Sequence, residues 1–381
     1  MTDRQKPAAP VPHADMAVVG DFYHRLLTCL LLALAGRAGV ERSAEVVFRA
    51  FRRQQKEKFL SGLEKLGLRH LPPAVACALY HYLSNARGGA KVEWIPETDR
   101  KSWVRYLPPR WIFDGTAVCG IPTEIGRAMM RGWHANNGVV LGNLRLGFVC
   151  TSQTTDGGPD AIGYYIEEDH ELAPEERLRF SPGETLPGPA GDLPTVSWGE
   201  NHLAKVKRNY SMEYVRSLTS AMCEVLGPAD AGHIGRTAGR QIGMQFHDLV
   251  CDGLRHARTP DNAVASFAQL FTRLARAQGD TSEFELQAGG ASALVRQTSW
   301  RFGKELSLPA EGLPLAGCWR PGPGRPDRTG GGAAVRPVYA GRPVDGIAAA
   351  SVAGFTVGAS RANVHRVRAD TEIRTRLCPC P

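Results

Sequence analysis

Cys150, His134 and Asp156 are the residues of this 381-residue chain whose types and surroundings suit catalysis. They fall in one stretch: Arg131-Gly132-Trp133-His134-Ala135-Asn136-Asn137-Gly138, Gly142-Asn143, Gly147-Phe148-Val149-Cys150-Thr151-Ser152-Gln153-Thr154-Thr155-Asp156-Gly157, then Gly163-Tyr164-Tyr165. Polar, aromatic and Gly residues are dense there and long aliphatics few. A thiol becomes a nucleophile when a nearby base takes its proton, so His134 would serve Cys150, with Asp156 close by. Trp133, Asn137, Asn143, Gln153 and Tyr164 would line the substrate pocket. Arg105, among Trp103, Arg110 and Trp111, offers a guanidinium for a carboxylate. Each has a plainer reading. Free Cys is usually a small core residue, and His134 suits a helix end. Asn136, Asn137 and Asn143 suit turns or caps, as Asp156 before Gly157-Gly158 does. Arg105 suits cation–π packing, and Tyr164 suits ordinary strand packing. If 145–152 is a strand, Phe148, Cys150 and Ser152 share one face and Val149, Thr151 and Gln153 the other.

No other motif adds chemistry. There is no Gly-x-Gly-x-x-Gly after a strand and no Walker loop, no Gly-x-Ser-x-Gly elbow and no His-x-x-x-His pair. Neither a cofactor nor a metal is expected. Cys378-Pro-Cys380 lacks the second ligand pair that zinc needs, and Tyr80-His81-Tyr82 reads as packing at a core edge. The nine cysteines, odd in number and scattered, fit reduced thiols and the cytoplasm. The net charge of +8 suggests nucleic acid until it is located. From residue 316 onward there are ten Arg, no Lys and four acids, so the tail carries +6 and the rest about +2. A body so nearly balanced does not advertise a phosphate-binding surface, and no nucleic-acid partner is expected.

These residues must be positioned by an α+β framework. Periodicity predicts helices over 21–35, 41–66, 74–86 and 123–134, the second closed by Gly67 and the third opened by Pro72-Pro73. Alternation predicts a hairpin over 91–95 and 102–107, and strands over 145–152 and 163–167. The expected architecture is an antiparallel sheet with helices on one side. Leu26–Ala35 imitates a signal peptide, but it is too short to cross a bilayer and follows a poor leader.

The same pattern returns about 190 residues later. Tyr23, Arg25 and Thr28 match Tyr214, Arg216 and Thr219 at a shift of 191, as do Gly36 with Gly227 and Gly62-Leu63 with Gly253-Leu254. Ala74-Val75-Ala76 matches Ala263-Val264-Ala265, Glu93-Trp94 matches Glu283-Phe284, Val104-Arg105 matches Val295-Arg296, and Trp111 matches Trp300. The chain therefore reads as two tandem related units. A loose arm (1–20) precedes the first unit (21–180), and a Pro/Gly-rich linker (181–200) leads to a second, truncated unit (201–312). The tail from 313 to 381 is rich in Arg, Gly, Pro and Ala and too poor in apolar residues to offset its ordering entropy. It reads either as a native disordered tail or as the shifted-frame translation of a GC-rich gene.

The order of elements, ending in "RLGFVCTSQTTDGGPDAIGYYIEED", resembles the L-2-amino-thiazoline-4-carboxylic acid hydrolase-like family over about residues 20–170. More distantly it is similar to vinyl-reductase-type small-ligand-binding domains. Both share the Gly and Cys of the late strand, here Gly147 and Cys150. Where the hydrolase-like family has a Cys and an acid before that strand, this chain has Trp133 and His134. The resemblance implies a ring-opening hydrolase for a small cyclic carboxylate or heterocycle, or a non-catalytic ligand-binding or sensor relative. A scaffold role is the third reading, because paired units often dimerise, and a homodimer is compatible with all three. A membrane partner is not expected.

Overall fold

The computed structural model describes residues 11–108, 116–191, 199–257, 263–287, 292–297, 299 and 301–303, and four later strands. Its first unit runs α1 (His13–Ala38), α2 (Val40–Lys65), α3 (Pro73–Arg87), β1 (Val92–Thr98), β2 (Lys101–Tyr106), α4 (Thr123–Gly132), α5 (Asn137–Leu141), β3 (Leu146–Ser152), β4 (Ala161–Glu167) and β5 (Leu178–Phe180). The second runs α6 (Glu200–Leu226), α7 (Pro228–Gly253), α8 (Ala263–Gln278), β6 (Ser282–Gln287) and β7 (Ser292–Gln297). The fold is α+β, with the helices and hairpin of one unit repeated in the other.

Helices α1 and α6 cross at the centre of the molecule. Gly20 makes the crossing possible, because a Cβ there would lie 3.2 Å from the backbone nitrogen of Arg208. α1 also packs on α7, and α6 on α2, so each unit's first helix serves the other unit's second. α1 is long and apolar enough to cross a membrane. Here its Leu26, Leu27, Leu30, Leu31 and Leu34 are buried in the shared core.

The first sheet has the order β1-β2-β4-β3-β5. α3 covers one face. The other face carries Ile95, Trp103, Val149 and Tyr164. The sheet is mixed where an antiparallel one was expected, because β5 joins β3 in parallel. The reason lies in the presumed linker. Ser181 N donates to Cys150 O (2.9 Å) and Gly191 N to Trp94 O (2.8 Å), while Leu186 packs on the outer apolar cluster. Residues 181–191 thus cover the sheet, and 192–198 lie outside the described residues. The N-terminal arm also needs correction. Met16 and Val19 extend the apolar face of α1 back to His13, and buried Asp15 accepts from Arg273 at 2.6 and 2.8 Å. Residues 1–10 lie outside the described set.

The second unit is incomplete, since among the described residues nothing answers to α4 and α5. Within the tail, β8 (Ala333–Tyr339) and β11 (Ile373–Pro379) extend its hairpin in the order β6-β7-β11-β8, and β9 (Ala348–Val352) pairs with β10 (Phe355–Ala359). The rest of 304–381, including Cys380, is outside the described residues, as are Arg110, Trp111 and Trp300.

Candidate functional site

Arg52 on α2 organises the site. It donates to the Gly132 carbonyl (2.8 Å) and the Arg131 carbonyl (2.9 Å), so a cation closes the C-terminal end of α4. Directly after that end the chain turns through Trp133, His134 and Asn136 into α5, which buries all three side chains. A guanidinium only donates, so its bond to Asn136 Oδ1 (2.8 Å) fixes the polarity of everything beyond it. Asn136 Nδ2 donates to Gln55 Oε1 (2.8 Å), and Gln55 Nε2 to Asn137 Oδ1 (3.1 Å). Asn137 Nδ2 donates to Tyr165 Oη (2.9 Å), and the Tyr165 proton is left for His134 Nδ1 (2.6 Å). His134 is therefore held as an acceptor at Nδ1, with its proton on Nε2.

His81 on α3 joins the same network. Its Nε2 lies 3.4 Å from Asn137 Nδ2 and its Nδ1 2.9 Å from Tyr106 Oη. The His81 and His134 rings stack at 4.2 Å and 17°. Phe148 packs on the other side of His134 at 4.3 Å. Burial pushes the Tyr165 hydroxyl well above its ordinary pKa, which keeps its proton available as a donor.

Both histidines line a cavity of about 530 Å³ between α2, α3, α4 and α6. Its walls carry Phe51, Tyr80, Trp133 and Tyr214, with exposed Lys58 and Lys65 at the rim. Trp133 stacks on Tyr80 (6.4 Å, 24°). Its indole N–H is buried and has no hydrogen-bond partner among the described residues. Tyr210 and Tyr214 of α6, held by bonds from Tyr210 Oη to Asn85 (2.6 Å) and Tyr214 (3.0 Å), separate this cavity from a smaller one of about 180 Å³.

The residues singled out from sequence are not brought together at one place. Trp133, His134 and Asn137 belong to the cavity and its network. Cys150 is buried behind Phe148, with its thiol 3.4 Å from the Ser152 carbonyl. Burial raises its pKa to about 12, so the thiolate that a nucleophile requires is scarce near neutral pH. Asp156 sits at the start of α4 with Thr123, Gln153 (2.9 Å) and Arg127 (3.8 Å). Gln153 reaches that group because the register of β3 slips between Cys150 and Ser152, which turns Gln153 towards α4 and breaks the expected alternation.

The remaining three hold the framework. Asn143 Oδ1 accepts from Arg145 N (3.1 Å) in the turn before β3. Tyr164 is on the sheet's outer face, 4.5 Å from Trp103 and bonded to Glu184 (2.9 Å). Arg105 pairs with Asp160 (2.6 Å) and Glu93 (3.3 Å). Its counterpart Arg296 pairs with Glu283 (3.0 Å), so the ion pair belongs to the hairpin of each unit.

Sequence reasoning missed Arg52, Gln55 and Tyr106, and took His81 for edge packing. A Gln with an Arg three residues before it on the apolar side of α2 was the available signal. Among the described residues no three His, Cys, Asp or Glu side chains converge as metal ligands would. No family model, curated protein or solved structure matches the chain.

Proposed function

We propose that the chain is a small-ligand-binding protein whose ligand occupies the cavity between α2, α3, α4 and α6. The observation that carries this reading is a cavity of about 530 Å³ lined by Trp133, whose indole N–H is buried and without a hydrogen-bond partner among the described residues. That volume lies in the range of small-molecule sites, which pair apolar walls with a few converging polar groups. An orphan buried donor is costly, and an acceptor atom on a ligand relieves it. The ligand chemistry that fits is a flat, mostly aromatic molecule with a carbonyl, carboxylate or ring-nitrogen acceptor. The described cysteines are all free, in keeping with a reducing compartment such as the cytoplasm.

The test is a thermal-shift panel of naphthoates, quinolines and their acceptor-free hydrocarbon analogues. Wild type should be stabilised by members bearing an acceptor, and Trp133→Phe should lose that preference while keeping its fold. A panel without shifts, or an acceptor preference untouched by Trp133→Phe, overturns the reading.

Ring-opening hydrolysis of a small cyclic carboxylate is the second reading, supported by the stacked His81–His134 pair beside the cavity. It rests on proton transfer by histidine, since Cys150 keeps its proton. Product formed by wild type and Cys150→Ala, but not by His134→Phe, favours it. Binding without product favours the ligand-binding reading.

A further inference from the structure

The second unit holds a cavity in the place that corresponds to the first. Backbone features fix the correspondence. Gly39 and Gly227 precede α2 and α7 with φ of 82° and 81°, a conformation that favours Gly. The two helices close with equal bonds, Leu66 N to Gly62 O and Leu254 N to Val250 O, both 3.0 Å. These pairs lie 188 residues apart. α3 and α8 close with Ala90 N to Asn85 O and Asp280 N to Ala275 O, both 3.0 Å and 190 residues apart.

In this register Gly62, Tyr80 and Ser84 of the large cavity become Val250, Leu270 and Leu274. Those three line a void of about 10 Å³. The walls correspond reciprocally: Tyr210 of α6 closes the first cavity, and its counterpart Phe22 of α1 closes the second. Two members of the polar network, His81 and Gln55, have Phe271 and Gly243 as counterparts in the second unit, where His247 and Gln278 also line the void. A void of that size holds at most about one water-sized probe.

We infer that the chain is a fused pair of ligand-binding units with a single working site, in which the second unit is the wall of the first unit's cavity. This rests on the ligand-binding reading and extends it to stoichiometry and to the division of labour between the units. Gly62 marks the packing difference between the two sites. A Cβ at Gly62 would lie 2.4 Å from Tyr80 Cε2, so the Tyr80 ring requires Gly at 62. The second unit carries the compatible alternative, Val250 with Leu270.

The probe is 8-anilinonaphthalene-1-sulfonate, titrated into the full chain by fluorescence and calorimetry. One saturable equivalent per chain is expected. Ser84→Leu, which installs the second unit's residue in the first cavity, should weaken binding at least tenfold. Tyr210→Ala, a change in the other unit, should weaken it at least fivefold. Leu274→Ser, in the void, should leave stoichiometry at one and affinity within twofold. Circular dichroism establishes that each variant is folded, and Ser84→Met replaces Ser84→Leu should the latter unfold. Two equivalents in wild type, or equal losses from Ser84→Leu and Leu274→Ser, overturn the single-site inference while leaving ligand binding intact. No saturable binding to wild type removes both.

Discussion

Replacing Asn137 by Leu tests whether the network between Arg52 and His134 acts as a unit. Asn137 is wholly buried and has three neighbours in the network, Gln55 (3.1 Å), Tyr165 (2.9 Å) and, more weakly, His81 (3.4 Å), with the buried Cys77 thiol also bonded to it. Leu occupies similar space and removes all of these bonds. Tyr165 retains His134, so its loss is one ordinary bond, about 1 kcal/mol net. Gln55 loses more, because its Nε2–H stays buried without an acceptor, a penalty of about 1–3 kcal/mol. The expected destabilisation is therefore about 3 kcal/mol, read by urea denaturation as a lower midpoint at unchanged slope.

The double-mutant cycle is the sharper measurement. Gln55→Leu alone orphans Asn137 Oδ1 and Asn136 Nδ2, whereas Gln55→Leu with Asn137→Leu orphans only Asn136 Nδ2. The double variant should cost less than the sum of the singles by about 1–2 kcal/mol. Additivity to within about 0.5 kcal/mol refutes the Gln55–Asn137 bond, and with it the chain of donors from Arg52 that sets the tautomer of His134.

Three further expectations concern the framework. Gly62→Ala should destabilise the fold by about 1–3 kcal/mol through its clash with Tyr80, and Tyr80→Leu should rescue it, as the Val250–Leu270 pair implies. Melting curves decide, and a Gly62→Ala variant with an unchanged midpoint removes the steric account. Arg273→Met should destabilise more than Asp15→Asn, by up to about 3 kcal/mol, because it strands the buried Asp15 carboxylate while Arg273 itself is half-exposed. The reverse order in denaturant midpoints contradicts the burial assignment. Cys150 keeps its proton to about pH 12 in the folded chain, against an ordinary value of 9.0. Its contribution to stability is thus complete below pH 9 and is lost as pH rises towards 12. Cys150→Ala should flatten that alkaline limb, and an unchanged limb argues against a buried thiol.

Much of the framework was legible because period and punctuation determine it locally. The helix opened by Pro72-Pro73 and the two hairpins fall where expected, and the hairpin repeat aligns correctly, Glu93–Arg105 matching Glu283–Arg296. In the first two helices of each unit the alignment is about one turn too long, 191 where the backbone gives 188, and in the third it is one residue short, 189 against 190. The error has a physical origin, since residues about one turn apart share an amphipathic face and match almost as well. The site was legible only where its residues adjoin in sequence, at Trp133, His134 and Asn137. His81, Gln55 and Tyr106 lie on three other elements, and nothing local distinguishes them from packing. Cys150 looked reactive because its type is. Only burial, which sequence does not state, shows the thiol to be protonated.

Comparison of the two units bears on why the network exists. A polar cluster in a core is tolerated when fully satisfied, but an apolar replacement is commonly as stable or more so. The second unit has Phe271 in the place of His81 and Gly243 in that of Gln55, and its void, lined also by His247 and Gln278, is about 10 Å³. The first unit retains the histidine, the amides and the orphaned Trp133 N–H around an open volume of about 530 Å³. In the second unit the counterparts of α2 and α3 pack around a void of only about 10 Å³, and among the described residues nothing there answers to α4, whose end carries Trp133. What distinguishes the two units is an open volume beside an ordered polar network, and Arg52, by ordering the donors as far as His134, fixes the polar side of that cavity; on the proposed ligand-binding reading, that side is set in advance of the ligand.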